Sequence, residues 1–134
     1  MAFMEWDESL DLGDAMIDRQ HRRLVDLIND VHDVCAAPER ADEIMRCITD
    51  MFLYAKEHFF DEEGLMERLC YPERESHIAL HRTFVDKARA LADECLADTM
   101  RAEDLLEYLV SWLRRHIALE DAKIVRLARC LPAK

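Results

Sequence analysis

Two glycines and three prolines are all that this chain of 134 residues contains, where average usage would give about 16 of the two together. Tight turns draw on Gly and Pro for backbone geometries that other residues resist, and a sheet protein needs a turn every few residues. So sparse a supply excludes a many-stranded β fold and leaves long helices joined by few connections. Hydrophobic residues at 51% and charged residues at 35% describe a globular chain with one sizeable core. No uninterrupted apolar run reaches the roughly 18 residues that mark a membrane-spanning helix, so no membrane insertion is expected.

Four stretches repeat apolar residues with the 3.6-residue period of a helix. The first runs from about Asp18, read as its N-cap, to the residues before Pro38, with His21, Leu24, Ile28, Val31 and Cys35 on its stripe. The second runs from about Glu39 to Leu69 and carries Ile48, Met51, Ala55, His58, Glu62 and Met66, until Cys70-Tyr71-Pro72 breaks it. The third covers about Glu73 to Ala97, with His77, His81, Phe84 and Ala88. After a weak break at Asp98-Thr99-Met100, the fourth covers about Ala102 to Cys130, with Leu109, Leu113, His116, Ile117 and Ile124. Short connections make sequential helices antiparallel neighbours. The expected fold is therefore all-α, an up-down-up-down four-helix bundle over residues 18–131, preceded by a non-helical arm over 1–17. The whole of 1–134 is expected to be a single domain.

The net charge of −11 repels phosphate backbones and anionic bilayers, so nucleic acid is not an expected partner. Five cysteines without a CxxC pair suit small core residues in a reducing compartment. The acidic N-terminus lacks the basic and apolar regions of a signal peptide, so a cytoplasmic location is expected.

Six histidines stand at 21, 32, 58, 77, 81 and 116. His58/Glu62 and His77/His81 are i, i+4 pairs, one helical turn apart and close enough to share a metal ion. Both pairs lie on apolar stripes, where unpaired polar groups are costly. Topology then gathers them. His21 and His77/His81 lie near the starts of helices one and three; His58/Glu62 and His116 lie toward the ends of two and four. In an up-down-up-down bundle those positions share one end, so all fall in a single core layer, which points to a metal site. His32 is excluded from it, lying eleven residues and about 16 Å further along its helix than His21.

The segments Trp6, IDRQHRRL (17–24), HFFDEEGLM (58–66), YPERESHIALH (71–81) and WLRRHIALED (112–121) resemble the hemerythrin family, in particular its single-domain bacterial branch. The resemblance spreads over all four helices and the arm. It implies a non-haem di-iron centre in which His21 and His58 bind one iron, His77, His81 and His116 bind the other, and Glu62 and Asp121 bridge. With a bridging oxo or hydroxo oxygen, these ligands fill eleven of the twelve positions of two six-coordinate irons. The empty position is where O₂ would bind. Five imidazoles suit iron, and so few anionic ligands favour reversible binding over substrate oxidation. His116 and Asp121 are five residues apart, about 140° around an α-helix, so both reach one centre only if the helix widens, as in a π-bulge.

Leu24, Phe59, Met66, Trp112, Leu113 and Ile117 are expected to line the O₂ pocket and exclude water. The expected function is O₂ carriage, storage or delivery by a monomeric non-enzyme, with an O₂-consuming enzyme as its client. The alternatives are O₂ or redox sensing, and peroxide- or nitric-oxide-directed chemistry at the same centre.

Overall fold

Asp14 starts the first long helix, its carboxylate accepting the backbone N–H of Ile17 at 3.0 Å in the computed structural model, which describes residues 3–97 and 101–130. This helix, α1 (Ala15–Cys35), begins a turn earlier than the expected cap at Asp18. Asp18 instead sits in the first turn and accepts the N–H groups of Leu12 and Gly13, both at 2.9 Å. The chain reverses there at Gly13, whose φ of +84° is a conformation that a side chain resists. Met16 and Ile17, expected in the arm, therefore belong to α1.

The arm itself is not wholly irregular. A 3₁₀ turn spans Glu8–Leu10, and Met4 and Leu10 are buried against the main core. The Asn29 side chain pairs with both backbone groups of Met4, at 2.8 and 2.9 Å. Arg114 holds Asp7 at 2.6 Å and the Glu5 carbonyl at 2.8 Å, while Arg22 lies 4.2 Å over the Trp6 ring.

Helix α2 (Ile44–Arg68) starts later than the expected Glu39, because Pro38–Glu43 form a 3₁₀ turn. At its other end Cys70 adopts φ +54°. The N–H of Tyr71 bonds the Met66 carbonyl at 2.9 Å and that of Cys70 bonds Glu67 at 3.1 Å, a left-handed cap that satisfies the last carbonyls. Helix α3 spans Arg74–Leu96. The expected break at Asp98-Thr99-Met100 and the bundle's expected last residue, 131, lie outside the described residues. The fourth rod is α4 (Ala102–Arg115), a π-helical turn (His116–Asp121) and α5 (Ala122–Cys130).

Helix α1 packs on α2 and α4, and α3 on α2 and α4, closing the four-helix bundle. Two apolar clusters fill it: a main core including Leu24, Phe59, Leu113 and Ile117, and a small one of Met66, Tyr71 and Ile124. Buried histidines and carboxylates share the interior with these clusters. Of the cysteines expected in the core, Cys35, Cys47 and Cys95 are half-buried and pack against the main core, whereas Cys70 and Cys130 are exposed. No described helix is long and apolar enough to cross a membrane.

A left-handed residue with a Cβ costs about 1 kcal/mol relative to glycine. Cys70→Gly is expected to raise unfolding stability by about that amount in urea titrations; a lower stability would contradict the cap described above.

Candidate metal centre

Seven polar residues meet at one level of the bundle, all at 4% exposure or less: His21 from α1, His58 and Glu62 from α2, His77 and His81 from α3, and His116 and Asp121 from the π turn. One-turn spacing aims each pair on α2 and α3 inward from adjacent turns. The π turn does the same for the fourth rod. By widening the helix it brings His116 Nε2 and Asp121 Oδ1 within 3.1 Å, though five residues separate them.

Both carboxylates face two ways. Glu62 Oε1 lies 2.7 Å from His77 Nε2 and 3.1 Å from His81 Nε2, while its Oε2 lies 3.4 Å from His58 Nε2. Asp121 Oδ1 lies 3.1 Å from both His77 and His116 Nε2, while its Oδ2 lies 3.0 Å from His21 Nε2. Two overlapping sets of metal-capable atoms result. One comprises Glu62, His77, His81, His116 and Asp121; the other comprises His21, His58, Glu62 and Asp121. Glu62 and Asp121 belong to both.

Hydrogen bonds alone do not satisfy this cluster. His116 Nε2 is 3.1 Å from the Nε2 atoms of both His77 and His81, and a single proton can serve only one of those contacts. His21 Nε2, Glu62 Oε2 and both Asp121 oxygens are buried without a hydrogen-bond partner despite their crowding. Buried polar atoms are normally paired. Here their lone pairs converge on shared space, an arrangement that fits cations held by imidazole and carboxylate.

The charges respond to that crowding. Burial pushes the Glu62 carboxyl up, but the surrounding imidazoles of His116, His58, His77 and His81 outweigh it and hold Glu62 well below the usual carboxylate range. Asp121 is held low in the same way: burial and the Glu62 charge oppose ionisation, and His116 and His21 overcome them. For His77, burial disfavours the charged ring, yet the adjacent carboxylates of Asp121 and Glu62 raise it to about 9. For His116, burial is again overcome, chiefly by the Asp121 charge, and the ring rises to about 9.

The surroundings are apolar on one side. Phe59 stacks on His81 at 3.9 Å and Trp112 on His116 at 4.3 Å. A cavity of about 20 Å³, lined in part by Leu24, Phe59, Trp112 and Leu113, adjoins the layer. Ile117 is fully buried in the main core but does not line this cavity. Met66 lies beyond the layer with Tyr71 and Ile124, because one further turn of α2 carries it past the cluster. His32 stands apart, stacked on Phe3 at 4.5 Å.

Two neighbours escape the sequence pattern. Gln20 Oε1 accepts from His58 Nδ1 at 2.7 Å and Glu63 Oε2 accepts from His81 Nδ1 at 2.9 Å. Metal-binding imidazoles usually donate their outer N–H to such a group. Gln20 and Glu63 each adjoin a candidate ligand in the chain, the one signal that could have singled them out.

Five imidazoles and two shared carboxylates at one level of a helical bundle define a metal-binding four-helix bundle protein. The chain belongs to the hemerythrin family: the profile of the hemerythrin HHE cation binding domain matches residues 12–128. The bacteriohemerythrin of Pseudomonas aeruginosa is 33% identical over 129 residues, 96% of this chain and 84% of that protein. The myohemerythrin of Theromyzon tessulatum is 27% identical over 119 residues, 89% of this chain and 88% of that one. A solved structure of wild-type hemerythrin aligns with a TM-score of 0.80 at 27% identity, covering 91% of this chain and 95% of that chain.

The raised His77 and His116 values fix a pH dependence for the metal-free protein. Their stabilisation is complete below the unfolded value of 6.5 and is lost as pH rises through about 9. Urea titrations of metal-free protein should show stability falling between those limits; stability rising across them would contradict the ion pairs. Metal uptake at pH 7 should release protons, measurable as buffer-dependent heat.

Proposed function

We propose that the centre holds two iron ions with an oxo or hydroxo bridge and binds O₂ reversibly, for carriage, storage or delivery. In this reading His21 and His58 hold one iron, His77, His81 and His116 hold the other, and Glu62 and Asp121 bridge. One observation carries it: each carboxylate turns one oxygen toward the set containing His77 and His116 and the other toward His21 or His58. Two ferrous ions would supply the two electrons that reversible O₂ binding draws on. Membership of the hemerythrin family supports the same metal and ligand.

The protein's own part is to bind and to exclude. Leu24, Phe59, Trp112 and Leu113 line a cavity of about 20 Å³, and a water-sized sphere needs about 10–15 Å³. That is room for one diatomic molecule, and the walls present apolar surface. That lining would keep water and protons from O₂ at the centre. The activity proposed is binding rather than turnover, by a monomer, with an O₂-consuming enzyme as client.

Metal analysis should find about two irons per chain. Leu113→Ala should retain both, since no ligand changes, while losing about 2–5 kcal/mol of stability to the enlarged cavity. Its oxygenated form should decay several-fold faster than that of the parent, followed by its visible band at fixed pH. Equal lifetimes would remove the cavity from the account of O₂ retention.

A further inference from the structure

We propose that Glu63 is a positioning residue for His81, and that its charge makes the half of the centre held by His77, His81 and His116 the easier half to oxidise. The inference rests on the di-iron reading above and deepens it.

The outer nitrogens of the candidate ligands have unequal partners. His81 Nδ1 donates to a carboxylate, Glu63, at 2.9 Å. His58 Nδ1 donates to a neutral amide, Gln20, at 2.7 Å, and Gln20 in turn donates through Nε2 to Asp61 at 2.9 Å. The Nδ1 atoms of His21 and His77 are buried with no hydrogen-bond partner. So a full negative charge touches a ligand ring on one side of the centre, whereas on the other side an amide stands between ring and charge. A carboxylate on the outer N–H of an imidazole raises the ring's basicity toward a metal and fixes its tautomer and tilt. More electron donation favours the ferric over the ferrous state, and the effect is largest at the metal that the ring binds.

Position reinforces chemistry. The His81 ring is also clamped face to face by Phe59, 3.9 Å away at 10° between planes. Glu63 is 30% exposed, and with His81, Phe59, Phe60, Arg82 and Val85 it lines a surface groove of about 390 Å³ between α2 and α3. The His81–Glu63 bond thus joins the buried layer to solvent. The ring is held on one side by stacking and on its outer edge by the carboxylate, which leaves Nε2 aimed at the cluster.

Substitutions separate the bond from the charge. Glu63→Ala removes both; Glu63→Gln keeps an oxygen to accept the bond and removes the charge. Asp61→Asn removes a nearby charge that touches no ligand ring. Cobalt(II) binding to metal-free protein, measured against a competing chelator, should weaken about 10–100-fold in Glu63→Ala, with most of the affinity retained in Glu63→Gln. In iron-loaded protein Glu63→Gln should raise the midpoint potential of the centre, and Asp61→Asn should move it less. Wild-type cobalt affinity in Glu63→Ala, or equal losses in Glu63→Ala and Glu63→Gln, would overturn the positioning role. A Glu63→Gln potential that is unmoved, or moved no further than that of Asp61→Asn, would overturn the role of the charge. Failure of the di-iron reading would show separately, as wild-type protein without two irons, and the cobalt measurement would still stand.

Discussion

Glu62 and Asp121 are each 1% exposed and share one layer of an otherwise apolar bundle. Isolated carboxylates there would cost many kilocalories per mole or would take up protons. Surrounding imidazoles instead hold both ionised, and the remaining lone pairs converge where cations fit. This constraint organises the molecule. It divides the interior into a main core and a small cluster of Met66, Tyr71 and Ile124. It also dictates that helices entering and leaving the layer present ligands at matching heights, which an antiparallel bundle does without long connections.

The same constraint accounts for the one irregular stretch of helix among the described residues of the fourth rod. A regular helix would turn Asp121 well away from His116, leaving a carboxylate against apolar neighbours. The π turn at His116–Asp121 sacrifices regular backbone pairing and gains a second shared carboxylate. Ile117, within that turn, stays fully buried, so the core loses nothing to the widening. Upstream, the arm's Met4 and Leu10 cover the main core, tied down through Asn29, Arg114 and Arg22. A covered core and an apolar-lined cavity lie on one side of the polar layer.

Helix periodicity made the bundle legible, and topology made the layer legible, because a residue's height in an antiparallel bundle follows from its distance to a helix end. The five-residue gap between His116 and Asp121 signalled a widened helix for the same geometric reason. Boundaries were less legible. Asp14 and Asp18 both suit a helix start, and only the folded chain shows one as cap and the other as acceptor for Leu12 and Gly13. Pro38–Glu43 has a helical composition, and its tighter 3₁₀ form leaves no mark on the apolar pattern. Met66 shares a stripe with Glu62, but one turn moves it from the layer into the other cluster. Gln20 and Glu63 touch histidines on other helices, contacts set by side-chain reach rather than by spacing.

The central claim is that this layer binds O₂ and gives it back. The direct measurement is optical spectroscopy of the iron-loaded protein, reduced without air and then carried through repeated cycles of air and its removal. A visible band that appears with air, vanishes when O₂ is withdrawn, and returns at nearly full height on each cycle is the predicted result. Complete conversion to a ferric spectrum on the first exposure, with no recovery when O₂ is removed, would contradict it.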